Sequence, residues 1–118
     1  MKYIHIFLLF FLSLCSLQTE AGQFKGQIKS IGVGKHYDAY CANSTACVVV
    51  MVDSTYNKTS CNTDSWTFAF DSSTETGKNT LAMVMAAKAS GQEVVIGGTG
   101  TCTVKSTSED LNYFYLAF

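Results

Sequence analysis

The chain has no arginine. Its eight basic residues are all lysines, set against nine acidic ones. Phosphate neutralisation needs clustered positive charge, so a nucleic-acid partner is excluded. Charge-driven binding to an anionic membrane fails for the same reason. Proline is also absent, and no repeat or low-complexity linker interrupts the sequence. Nothing marks a boundary between folded domains. Histidine is scarce: beyond His5 there is only His36. A Ser–His–Asp set is arithmetically available through Asp38 and the many serines, but no nucleophile-elbow motif accompanies it. His36 therefore reads as an ordinary polar loop residue, and the chain as a non-enzyme. Glu109-Asp110 reads as a pair capping or solvating a turn, since glycosidase chemistry needs two carboxyls across a cleft. The cysteines lack the C-x₂₋₄-C spacing of a closed zinc site. "GGTG" at 97–100 lacks the GK[ST] ending of a phosphate loop. No metal or cofactor is expected.

One apolar run is present. After Lys2 comes "YIHIFLLFFLSLCSL", of secretory-signal length and closed by Gln18, Thr19 and Glu20. A membrane anchor needs about 20 apolar residues, more than this run supplies. Thr19 and Ala21 stand three and one before a cut, so cleavage is expected after Ala21. A lipoprotein cut at Cys15 is disfavoured because Leu14 precedes it. The expected division is a signal peptide over 1–21 and one domain over 22–118. The remaining 97 residues (118 less 21) carry seven lysines and eight acids, a net charge of −1. They keep four cysteines, Cys41, Cys47, Cys61 and Cys102. An even count in an exported chain implies two disulfides in a secreted or periplasmic protein. Four cysteines allow three pairings.

"QFKGQIKSIGVGKHY" places Phe24, Gly26 and Ile28 on one parity, then Ile31 and Val33 on the other. That switch suggests one long, bent strand with a bulge. "DAYCANSTAC" is a loop, and "ACVVVMVDS" a buried strand. "SWTFAF" alternates, with Trp66, Phe68 and Phe70 expected on one core-facing side. Ser72, Ser73 and Thr74 are N-cap candidates for a helix over "KNTLAMVMAAKAS". Its Leu81, Val84, Met85 and Lys88 share a face, and Gly91 sits where a C′ glycine would end it. "EVVIGGTGTCTV" reads as a strand with a glycine-rich, bent second half, and "DLNYFYLAF" as the last strand. The expected fold is mainly β with one helix, in the order β-β-β-α-β-β. This is the order of an OB-fold, a five-stranded, partly open barrel. In such a barrel the helix plugs one end, and proximity favours the pairs Cys61–Cys102 and Cys41–Cys47. Ala82, Ala86, Ala87 and Ala89, with Met83, give the helix a small second face suited to close contact with other helices.

Cys61, Trp66 in "SWTFAF", the run "LAMVMAAKASGQEVVI" and the cysteine of "GTGTC" resemble the binding (B) subunits of bacterial toxins with one A chain and five B chains. The likeness spans roughly Phe24 to Leu116 and is nearest to the subtilase cytotoxin, pertussis-like and typhoid-toxin B subunits. The resemblance implies a secreted OB-fold forming a homo-pentamer, with the helix lining a central pore and neighbours pairing edge strands. It implies a glycan ligand on host glycolipids or glycoproteins and an enzymatic A chain as partner. The sialic-acid pocket of the subtilase-type subunits uses a serine after an aromatic residue and before a glycine. The matching stretch is Phe24-Lys25-Gly26, with Lys25 in place of that serine, so the same sugar specificity is not implied.

Aromatics are the remaining binding clue. Tyr37, Tyr40, Tyr56, Tyr113, Tyr115 and Trp66 offer rings for stacking on a sugar. Tyr37 and Tyr40 lie in a loop and are, with Lys25, the candidate ligand contacts. The alternative is a stand-alone exported protein of the same fold, with an envelope or inhibitory role and no toxin partner. A third reading, a small hydrolase using His36, stands or falls with that side chain. Asn43-Ser44-Thr45 and Asn57-Lys58-Thr59 are sequons with meaning only in a eukaryotic secretory host. The chain is too short for the strands of a membrane barrel, so membrane insertion is not expected.

Overall fold

The computed structural model describes residues 21–53 and 56–117. The expected signal peptide, apart from Ala21, lies outside the described residues. Eight elements follow in order: β1 (Gln23–Gly26), β2 (Ile28–Gly32), α1 (Lys35–Asp38), β3 (Cys47–Val52), β4 (Phe68–Asp71), α2 (Glu75–Ser90), β5 (Val94–Gly98) and β6 (Glu109–Leu116). The protein is mostly β, with one main helix and a curled, mixed sheet of six strands in the order β1-β5-β6-β4-β3-β2. All neighbours are antiparallel except β4 and β6.

Six strands replace the five expected. The long first strand divides at Gln27 because its halves pair at opposite ends of the sheet, β1 with β5 and β2 with β3. The expected bulge is present, as a register shift between Ile28 and Ser30. The end of the expected first strand instead forms the extra short helix α1, of which only Asp38 falls in the expected loop. The Asp38 carboxylate at its end accepts the Cys47 N–H at 2.9 Å, tying the turn to the start of β3.

Local chemistry explains α2. The Thr74 hydroxyl accepts the Gly77 N–H at 3.0 Å, satisfying a first-turn donor. At the other end Gly91 takes φ 67°, and the Gln92 N–H returns to the Ala87 carbonyl. This left-handed step is one that glycine makes without steric cost. The buried stripe is Gly77, Val84 and Ala87, with Leu81 half-buried against the same core. Met85, placed by its spacing on one face with Leu81 and Val84, is 57% exposed.

The main core joins Phe24, Ile28, Val48, Val50, Val52, Tyr56, Phe68 and Phe70 to Val84 and Ala87 of α2. A second cluster covers the other face of β3 and β4, with Cys41, Cys47, Val49 and Ala69 packed beneath Tyr37, Trp66 and Val104. Trp66 therefore does not share a face with Phe68 and Phe70. The regular strand begins only at Phe68. Before it, the Asp64 carboxylate accepts the Trp66 N–H at 3.4 Å in a local turn that resets the parity. Both disulfides are formed, Cys41–Cys47 and Cys61–Cys102. The second ties the approach to β4 to the exit of β5.

Candidate functional site

The antiparallel register of β1, β5 and β6 builds an exposed aromatic face. Gln23 pairs with Gly97, which pairs with Tyr113; Lys25 pairs with Val95, which pairs with Tyr115. Directly paired residues share a face of a sheet, so these two rows lie side by side. The opposite face carries the row Phe24, Ile96 and Phe114, which belongs to the main core. Tyr113 and Tyr115, 40% and 50% exposed, are nearly parallel, with ring centroids 6.2 Å apart and planes 15° from one another.

Gly97 is what lets Tyr113 lie flat. A Cβ at that position would fall 2.1 Å from the phenol ring. The Gln23 side-chain amide donates to the Tyr113 hydroxyl at 2.5 Å and fixes the ring's outer end. Beside Tyr115 lies an open depression of about 560 Å³ lined by Gln23, Lys25, Val95, Tyr115, Leu116 and Ala117. The Lys25 ammonium stands 3.8 Å from the Glu93 carboxylate, with both side chains more than half exposed. Such a pair contributes little to stability, and both groups remain accessible to a ligand.

Of the candidate ligand residues, Lys25 lies on this face. Tyr37 and Tyr40 do not. Tyr37 is half-buried, its ring edge-on to Trp66 at 5.4 Å. Tyr40 is 62% exposed and lies against His36 at 5.4 Å, beyond the second cluster. The residues that sequence reasoning passed over are Gln23 and Gly97. A signal for Tyr113 and Tyr115 was available: in "DLNYFYLAF" they hold the parity opposite to Phe114 and Leu116.

A second constellation is buried. Glu109 is fully enclosed and Asp110 is 8% exposed, so this pair does not solvate a turn. Tyr56 donates its hydroxyl to Glu109 at 2.5 Å, and the Gly22 and Gly100 N–H groups donate at 3.0 and 2.9 Å. Burial, and then the Glu109 carboxylate, raise the Tyr56 pKa well above the ordinary phenol value, so Tyr56 stays a donor. Asp110 accepts from the N–H and hydroxyl of Thr103, the Val104 N–H and the Thr101 hydroxyl. It fastens the connection between β5 and β6.

Among the described residues, no group of three or more His, Cys, Asp or Glu side chains is placed to hold a metal ion, and no helix is long and apolar enough to cross a membrane. Two disulfides in one small domain fit an extracellular or periplasmic protein. Comparison with family models, curated proteins and solved structures finds no match to this chain.

Proposed function

We propose that the chain is an exported binding module of the OB type whose Tyr113–Tyr115 face recognises a glycan. The observation carrying this is the pair of near-parallel, exposed tyrosines flanked by Gln23 and Lys25. A pyranose has an apolar C–H face and a rim of hydroxyls. Aromatic rings suit the first, and amide, ammonium and carboxylate groups suit the second. Gln23, Lys25 and Glu93 provide those groups beside the rings.

The OB reading is supported by strand order. Taking Gln23–Gly32 as one strand bent at Gln27 leaves five strands, the first bordering both ends of the order. The parallel pairing of β4 with β6, and α2 lying between β4 and β5, belong to the same arrangement. Assembly as a ring of five is part of the proposal. Its support is an apolar groove between β2 and α2 lined by Ile31, Val33, Leu81 and Met85. An enzymatic partner chain would be encoded beside this one; without such a gene, the stand-alone reading takes its place.

The test is a glycan array probed with the disulfide-bonded domain, followed by titration of the best sugar. Tyr115→Ala and Tyr113→Ala should each weaken binding about tenfold, the loss expected when about 1.4 kcal/mol of stacking is removed. Tyr40→Ala should leave it unchanged. Binding that survives loss of both rings and disappears with Tyr40→Ala would place the site at α1 and overturn this reading.

A further inference from the structure

Glu109 is a buried carboxylate whose donors among the described residues are neutral, and one of them is the backbone nitrogen of Gly22, 3.0 Å from Oε2. The expected leader cut falls on the bond just before that nitrogen. We infer that, after an exporting peptidase hydrolyses the Ala21–Gly22 bond, the mature chain folds with the new α-ammonium of Gly22 in this position, as a buried ion pair with the Glu109 carboxylate. The Glu109 pocket is thus a receptor for the processed chain end. The inference rests on the leader reading and is independent of the glycan proposal.

The chemistry is ordinary amide hydrolysis. Water supplies the hydroxyl that makes Ala21 a carboxylate and the proton that leaves Gly22 as an amine. The amine takes a further proton at neutral pH, because an α-amine has a pKa near 8. The precursor has a neutral N–H at this position, and the mature chain a full positive charge.

Three features of the site fit that charge. First, a buried carboxylate is costly unless it is paired, and among the described residues no lysine forms an ion pair with Glu109. Second, Gly22 is buried whereas Ala21 is exposed, so the boundary between outside and inside falls at the cut. A folded domain withholds this bond from a peptidase, so the cut precedes folding. Third, only glycine fits at the new end. A Cβ on Gly22 would lie 1.7 Å from the Tyr56 hydroxyl and 2.6 Å from Oε1 of Glu109. The opposite wall is also cleared of side chains, since a Cβ on Gly98 would lie 1.8 Å from Oε2. The Tyr56 hydroxyl and the Gly100 N–H complete the cradle.

The test uses the full 118-residue chain expressed with its own leader in an exporting host. Intact mass should identify a product beginning at Gly22. Any other start overturns the inference. The purified domain is then treated at neutral pH with an amine-acylating reagent, and labelling of the α-amine is read by peptide mass. In the folded protein the α-amine should react at least about tenfold more slowly than in the reduced, urea-unfolded chain, as expected of a buried amine held protonated. Equal rates overturn the inference. A form retaining Ala21 as an extra terminal residue carries an amide at Gly22, and its Tm should fall by about 5–10 °C. In a Glu109→Gln background the same extension should cost little. If Glu109→Gln does not fold, the acylation rates of the wild-type chain decide alone.

Discussion

Asp64 is pulled in two directions. Partial burial raises its pKa, while the Lys105 ammonium, the Trp66 N–H and the Thr107 hydroxyl lower it more, to about 2. Lys105 is itself 7% exposed and forms an ion pair with this carboxylate. A carboxyl whose folded pKa lies below its ordinary value near 4 contributes stability above that value. The contribution is lost as pH falls through about 2. After discount for partial exposure it is about 1–2 kcal/mol. The urea midpoint of the wild type should therefore drop between pH 5 and pH 2. Asp64→Asn should begin lower at pH 5 and change less over that window. At the same scale Glu109 shows why part of the site was illegible. A charged residue beside another at a strand start reads as solvated. Its real partners are Gly22, which is 87 residues away in sequence, Tyr56 and Gly100. No local pattern announces a carboxylate received by backbone N–H groups. The glycines of "IGGTG" were legible as a bend but not as space. Gly97 makes room for Tyr113 and Gly98 for Glu109, and both needs arise across strands.

At the level of elements, what was legible is what local chemistry decides. The end of α2 follows from Gly91, and its cap, Thr74, was one of the three candidates Ser72, Ser73 and Thr74, because these contacts lie within a few residues of the helix. Thr74→Ala should cost about 1 kcal/mol in chemical denaturation, the usual loss of a side-chain cap, with the helical circular-dichroism signal kept. The register of β6 was legible because its tyrosines and apolar residues alternate. Trp66 was misplaced for the converse reason: the Asp64 turn breaks the alternation just before β4. The division of the first strand was hidden too, since its bend separates two pairings made with residues far along the chain. The disulfides connect elements unequally. Cys61–Cys102 spans 41 residues and Cys41–Cys47 spans six. Loop-closure entropy predicts about 4 kcal/mol for the first and about 2 for the second. Replacing Cys61 and Cys102 together by serine should therefore lower the urea midpoint roughly twice as far as replacing Cys41 and Cys47.

At the scale of the whole molecule, the two clusters meet different surfaces. The main core is closed on one side by α2, whose outer side exposes Glu75, Lys78, Asn79 and Lys88 but also a run of apolar residues. Ala82, Met83, Met85, Ala86 and Ala89 are all exposed, and Val33 on the neighbouring segment is 58% exposed. A surface helix of a monomer ordinarily turns charged groups to water, and contiguous apolar surface of this kind marks contact with another molecule. In the proposed ring each α2 meets its neighbours through this face, and the Tyr113–Tyr115 face on the far strands stays free for ligand. Light scattering of the disulfide-bonded domain at micromolar concentration should give a mass near five times that of one chain. Met85→Lys places a charge in the contact without disturbing the buried stripe of Gly77, Val84 and Ala87, so it should yield monomers with the wild-type circular-dichroism spectrum. Those monomers should still bind the sugar through Tyr115, but with the weaker apparent affinity expected when multivalency is lost. A wild-type protein that remains monomeric at these concentrations removes the ring and leaves the aromatic face as a single-site binder.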